Sequence, residues 1–157
     1  MLQDRFSRLI TYLRISVTDR CNFRCVYCMP AEGIELSPRQ EILSFEEIAR
    51  IARVGATLGL TKIRLTGGEP TVRRNLPELI ALLRAIPEIR EIAMTTNAAL
   101  LDEMAAPLKA AGLDRLNVSL DTLVPAKAAE IARRDYFDRV LAGIEASQKV
   151  GLGLKFN

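Results

Sequence analysis

The chain has no histidine and no tryptophan among its 157 residues, and only three cysteines. All three fall between Cys21 and Cys28, and an odd number packed that tightly is not a disulfide framework. Without histidine, the commonest metal ligand and the commonest acid–base side chain are both missing. No stretch reaches the ~18 uninterrupted apolar residues of a membrane span, and the opening residues lack the apolar core of a secretory signal. The expectation is a cytoplasmic protein with no membrane partner. The 22 basic and 19 acidic residues leave a net charge of +3 with no polybasic run. That speaks against nucleic acid and leaves a single anionic small molecule as the easier partner. What is present is an ordinary globular composition, 49% apolar and 26% charged, enough for one domain with a real core.

Short apolar or alternating runs predict strands at Leu13 to Val17, Ile63 to Leu65, Ile92 to Thr95, Leu116 to Leu120 and Leu154 to Phe156. Between them lie segments of helical period. From Phe45 to Leu58, the residues Phe45, Ile48, Ile51 and Leu58 predict one inward face, with a Ser44/Glu47 capping box at the start and Gly59 at the end. A second helix opens at Asn75 with Pro77 in its first turn and stops before Pro87. A third runs from Leu101 to Ala111 and ends at Gly112, and a fourth from Tyr136 to Val150 ends at Gly151. Strand and helix alternate without a two-residue hairpin, which predicts an α/β fold with a parallel sheet built from right-handed crossovers. Helices are expected over both faces of the strands. Complete (β/α) barrels need roughly 200 residues or more, so five strands predict a partial barrel with an exposed last edge.

The cysteines stand in a C-x3-C-x2-C array, Cys21-Asn22-Phe23-Arg24-Cys25-Val26-Tyr27-Cys28, just after the first strand. Structural zinc wants four Cys or His ligands, and neither histidine nor a fourth cysteine is present. A cubane 4Fe-4S cluster fits better, with three thiolates on three irons and the fourth iron open to an exogenous ligand. Asn22, Arg24 and Pro30 surround the cysteines with loop chemistry, which disfavours plain apolar packing.

With Gly67-Gly68-Glu69-Pro70 after the second strand, this array resembles the signature of radical S-adenosylmethionine (radical SAM) enzymes. The segments from Leu13 to Asn22, Lys62 to Pro70, Thr95 to Asn97 and Leu116 to Asp121, in that order, resemble the GTP 3′,8-cyclase family, which opens molybdenum cofactor biosynthesis. The resemblance implies a partial (β/α) barrel of the radical SAM type, here 1–157 as its N-terminal part, truncated after about the fifth strand. It implies a cluster on Cys21, Cys25 and Cys28 whose open iron binds S-adenosylmethionine. Reductive cleavage then makes a 5′-deoxyadenosyl radical that takes the 3′ hydrogen of GTP, and the ribose radical closes onto C8 of guanine.

By the same resemblance, Tyr27, Gly68, Glu69 and Ser119 contact S-adenosylmethionine, and Arg14, Arg64, Thr95 and Lys155 contact GTP. Some of these positions, and their neighbours, have a plainer account beside them. Glu69 could sit in a turn near a helix start, Tyr27 could simply pack, and Asp121 reads most simply as an N-cap. Arg73 and Arg74 also match family positions, but read as solvated helix-start charges. Arg64 should be flanked by covered strand residues, which favours a ligand for its guanidinium. Implied partners are GTP, a reductant protein such as flavodoxin or ferredoxin, cyclic pyranopterin monophosphate synthase as the next enzyme, and a second copy of the full-length enzyme.

Departures from the family are specific. Ala98 follows Asn97 where glycine is usual, and the segment before Lys155 is one residue short. The remaining strands, a cofactor-bordering Met, a second Cys triad for a second 4Fe-4S cluster and a terminal Gly-Gly have no counterpart in residues 1–157. The chain thus reads as an N-terminal half that lacks full activity alone. A different radical SAM enzyme, such as a peptide-modifying maturase, and a non-catalytic metal-binding scaffold are the alternatives.

Overall fold

Right-handed crossovers that step one strand at a time in the same direction must leave every helix on one side of the sheet. The computed structural model, which describes residues 2–157, has this arrangement. Five strands, β1 Tyr12–Ser16, β2 Lys62–Thr66, β3 Glu91–Thr96, β4 Arg115–Val118 and β5 Gly153–Phe156, lie in the order β1-β2-β3-β4-β5. All four pairings are parallel. The helices are α1 Phe45–Thr57, α2 Leu76–Arg84, α3 Leu101–Ala110, α4 Pro125–Ala132 and α5 Phe137–Lys149. Short 3-10 turns fall at Arg39–Glu41 and Pro70–Val72.

Side chains alternate across each strand, so one set of residues meets the helices. Val17, Ile63, Leu65, Ile92, Met94, Leu116 and Val118 are buried there against Leu76, Leu79, Ile80, Leu83, Leu101 and Leu108. The opposite face carries Tyr12, Arg14, Ser16, Lys62, Arg64, Thr95, Asn117 and Lys155, and most of these are exposed or half-buried. The expectation of helices over both faces is therefore corrected. A sequential strand order covers one face only, and the bare face is the interior of a partial barrel.

The Ser44/Glu47 capping box forms in both directions. The helix glycines end their helices with positive φ, 104° at Gly59, 104° at Gly112 and 72° at Gly151. The inward face of α1 differs from expectation. Ile48, Ala49, Ala52 and Ala56 are buried, whereas Ile51 and Leu58 are 47% and 42% exposed. The small residues let α1 approach closely, and Leu60 fills the space a side chain at Gly55 would need. Helix α4 has no counterpart in the sequence reading. β5 is an edge strand, with Phe156 exposed.

Candidate active site

The cysteine loop leaves the C-terminal end of β1. Cys21 and Cys25 are half-buried, Cys28 is exposed, and none forms a disulfide. Arg24 Nη1 donates to the carbonyls of Cys21 and Phe23, both at 2.8 Å. Phe23 anchors the loop inward by stacking on Tyr136 with ring centroids 5.6 Å apart. The amides of Arg24 and Val26 donate to the Ala132 and Ile131 carbonyls at the end of α4, at 3.0 and 2.9 Å. Arg133 Nη1 reaches the carbonyls of Met29 at 3.1 Å and Arg24 at 3.4 Å.

Burial pushes the Cys21 and Cys25 thiols above the ordinary cysteine range, and at Cys21 the neighbouring Glu69, Cys25 and Cys28 add to the rise. All three thiols sit on one loop of eight residues, Cys21 to Cys28. Among the described residues, no three His, Cys, Asp or Glu side chains converge as a site for a single metal ion. Three thiolates that each bind a different iron need no common centre. Three cysteines with no histidine and no fourth cysteine in the sequence suit three irons of a 4Fe-4S cluster better than a four-ligand zinc site.

The Gly67-Gly68-Glu69 loop lies directly against the stem of the cysteine loop. Gly68 N donates to Thr18 O at 2.7 Å and Glu69 N to Arg20 O at 2.8 Å. A Cβ at Gly67 would fall on the Thr18 carbonyl, and one at Gly68 on the Arg20 carbonyl. Both glycines are thus required by chain packing alone. Glu69 is buried, and its carboxylate accepts from Thr71 N at 3.1 Å, Thr71 Oγ1 at 2.6 Å, Thr96 Oγ1 at 2.7 Å and Asn97 N at 2.7 Å. Burial raises its pKa, and these donors oppose the rise. Glu69 also N-caps the 3-10 turn Pro70–Val72, the plainer account of this residue. Asn97 continues the link by donating Nδ2 to Asn22 Oδ1 at 2.8 Å. One buried carboxylate therefore joins the ends of β2 and β3 to the cysteine loop.

Tyr27 Oη donates to Asp121 Oδ2 at 2.9 Å, which ties the loop to the end of β4. Burial, with the Asp121 bond, pushes the Tyr27 hydroxyl well above its usual range. Asp121 is no N-cap; Val124 holds that position at α4 and makes no side-chain cap bond. Cys25, Tyr27 and Ser119 line one small, largely apolar cleft with Phe23 and Tyr136. Gly68 and Glu69 do not line it. Arg73 is not a solvated charge either. Its guanidinium donates to Val17 O and Leu43 O, both at 2.7 Å, and lies 4.3 Å from the Phe45 ring centroid.

The four residues expected to meet GTP share the bare sheet face. Arg14 and Arg64 are register partners on β1 and β2, while Thr95, Asn117 and Lys155 follow one another across β3, β4 and β5. Arg64 lies 5.4 Å from the Tyr12 ring, and its Nε is buried without a hydrogen-bond partner. The Nε is closed off, but the half-buried guanidinium makes no ion pair among the described residues, which leaves its charge for an anionic ligand on that face. Sequence reasoning missed Asp121 as the partner of Tyr27, and also α4, although Pro125 at its first turn was a legible start signal. Ala98 adopts φ 66° with its side chain fully buried, so the glycine-like turn forms despite the methyl group.

Residues 15–157 match the profile of the Radical SAM superfamily. The chain belongs to the radical SAM superfamily. Family membership implies a 4Fe-4S cluster and S-adenosylmethionine as cofactors. This radical SAM chain is 50% identical to GTP 3′,8-cyclase of Petrotoga mobilis over 95% of its own length and 46% of that protein. It is 53% identical to GTP 3′,8-cyclase of Ectopseudomonas mendocina, covering 96% of itself and 45% of that relative. With molybdenum cofactor biosynthesis protein 1 of Drosophila melanogaster it shares 51% identity over 99% of the chain and 28% of that protein. It therefore spans less than half the length of each of these relatives. Among solved structures, Streptococcus suis SuiB bound to S-adenosylmethionine superposes with a TM-score of 0.75 at 22% identity, over 94% of this chain and 32% of that one. Native anSMEcpe with bound AdoMet gives 0.70 at 18%, over 92% and 43%. Both show a shared fold. No helix of the described residues is long and apolar enough to cross a membrane.

Proposed function

We propose that the chain is the cluster-bearing part of a GTP 3′,8-cyclase, converting GTP to 3′,8-cyclo-7,8-dihydro-GTP in molybdenum cofactor biosynthesis. The observation that carries the reading is the pairing of two features at one sheet: a tethered three-thiol loop at the strand C-termini and a bare face with Arg14, Arg64, Thr95 and Lys155. Identity of about half with named cyclases across almost the whole chain supports it.

Cys21, Cys25 and Cys28 would hold the cluster as thiolates, releasing their protons on binding. When bound, the cluster and S-adenosylmethionine supply a one-electron reductive cleavage that yields a carbon radical for hydrogen abstraction. Tyr27 and Ser119 border that cofactor from the apolar cleft, while the Gly67-Gly68 backbone, which is exposed, offers carbonyls to its ammonium group. Glu69 acts one step back, because it is buried and its carboxylate is already held by three bonds to Oε1 from Thr71 and Thr96 and one to Oε2 from Asn97. Arg14, Arg64 and Lys155 neutralise the triphosphate, and Thr95 orients the nucleotide on the same face. A second cluster and part of the GTP site would come from chain outside these residues, so residues 1–157 alone are expected to cleave S-adenosylmethionine in response to GTP but not to complete the cyclisation. The reading includes a cytoplasmic setting, a protein electron donor such as flavodoxin or ferredoxin, and cyclic pyranopterin monophosphate synthase downstream.

Anaerobic reconstitution with iron and sulfide tests it. About four irons per chain are expected, lost in Cys21→Ala, Cys25→Ala and Cys28→Ala. With reductant, S-adenosylmethionine and GTP, 5′-deoxyadenosine should form. Equal iron uptake by the Cys variants overturns the cluster, and 5′-deoxyadenosine formation indifferent to GTP overturns the substrate.

A further inference from the structure

Arg133 breaks a local rule. It ends α4 in the left-handed region, φ 49°, a conformation that glycine adopts freely and other L-residues only at a cost. Such an outlier persists when the surroundings over-determine it, and it points from geometry to function. The surroundings here are the cysteine loop. Arg133 Nη1 lies 3.1 Å from the Met29 carbonyl and 3.4 Å from the Arg24 carbonyl. Arg24 immediately precedes Cys25 and Met29 immediately follows Cys28, so one nitrogen spans the segment that bears two of the three thiols. Two main-chain bonds reinforce the junction, from the amides of Arg24 and Val26 to the Ala132 and Ile131 carbonyls. Those carbonyls belong to the last turn of a helix, where no intrahelical partner exists for them. Among the described residues no carboxylate pairs with Arg133, so its charge is committed to loop carbonyls alone.

We propose that Arg133 is a positioning residue. Its guanidinium brackets residues 24–29 and sets the span between Cys25 and Cys28, so the loop is arranged for the cluster before the cluster binds. The inference rests on the cluster reading of the three thiols. The left-handed backbone is the turn that brings the side chain back over the loop, which is why arginine stands at a position suited to glycine.

Arg133→Gly is the decisive variant because glycine relaxes the backbone while removing the guanidinium. The folded protein should melt at or above the wild-type temperature. In metal-free protein, amide exchange over Cys25 to Met29 should accelerate about tenfold, the ~1.4 kcal/mol of one good hydrogen bond, with the rest of the chain unchanged. After reconstitution, iron release to a chelator should accelerate by a similar factor. Arg133→Asn, which also tolerates the left-handed region, should behave alike and guards against a folding defect peculiar to glycine. Exchange within twofold of wild type overturns the proposal. So does faster exchange with iron release at the wild-type rate, since the bracket would then be structural only. If the wild-type protein takes up no cluster, the cluster reading fails, and the exchange measurement on metal-free protein alone decides the bracket.

Discussion

Gly68→Ala isolates the contact between the Gly-Gly-Glu loop and the stem of the cysteine loop. Gly68 has no positive φ, so alanine can adopt its backbone conformation, and the only obstacle is space. The new Cβ would fall on the Arg20 carbonyl, with the Asp19 carbonyl 2.8 Å away, and both are backbone atoms that cannot swing aside. Relief requires the loops to part. That strains the bonds from Gly68 N to Thr18 O and from Glu69 N to Arg20 O. Overpacking costs about 1–3 kcal/mol, and two hydrogen bonds weakened but not lost add roughly 0.5 each, so about 2–4 kcal/mol is expected. For a chain of this size the melting temperature should fall by about 5–15 °C. Gly151→Ala is the control: its φ of 72° disfavours alanine, but nothing lies within 4 Å of the new Cβ. It should cost about 1 kcal/mol. Urea titration of both variants gives the comparison. If Gly68→Ala loses no more than Gly151→Ala, close packing does not explain the glycine and the reasoning is wrong.

The adjacent threonines should separate fold from function. Thr96→Val removes a donor to Glu69 and leaves the Ala98 amide unpaired, for about 2–3 kcal/mol in denaturant titration, while Thr95→Val should cost under about 0.5 and weaken GTP binding by calorimetry. Ala98→Gly should stay within about 1 kcal/mol of wild type, because relief of the left-handed strain offsets the lost buried methyl and the added unfolded-state freedom; Ala98→Val should lose more than about 2. In the metal-free protein, raised thiol pKa values keep the thiolate share of Cys21 and Cys25 low near pH 7.5, so Cys28, which is exposed, should alkylate first. The gap should narrow at alkaline pH as the buried thiols ionise; equal labelling of all three at pH 7.5, read by peptide mass spectrometry, would contradict the burial argument.

Local chemistry was legible without coordinates. The Ser44/Glu47 capping box, the glycine stops at Gly59, Gly112 and Gly151, and strand periods within a residue or two of the observed ends depend on contacts inside about one helical turn or one strand. The cysteine spacing likewise needed no fold to be read. The inward face of α1 was misjudged because apolar period alone favours Ile51 and Leu58, whereas the packed surface selected the small residues Ala52, Gly55 and Ala56. Helix α4 went unseen for a related reason: it is short, and its final carbonyls are satisfied by Arg24 and Val26 on a distant loop.

By itself, then, the order of residues determined the alternation of strands and helices, their caps, and a three-thiol loop at a strand end. Tertiary structure alone decided which face of the sheet stays bare, because that follows from strand order and crossover hand and not from any one strand. It also decided what holds the site. Glu69 meets Thr96 across 27 residues, Tyr27 meets Asp121 across 94, and Arg133 meets Arg24 across 109. Such partners are specified only once the sheet has brought the strand ends together, since no periodicity along the chain encodes a bond at those separations.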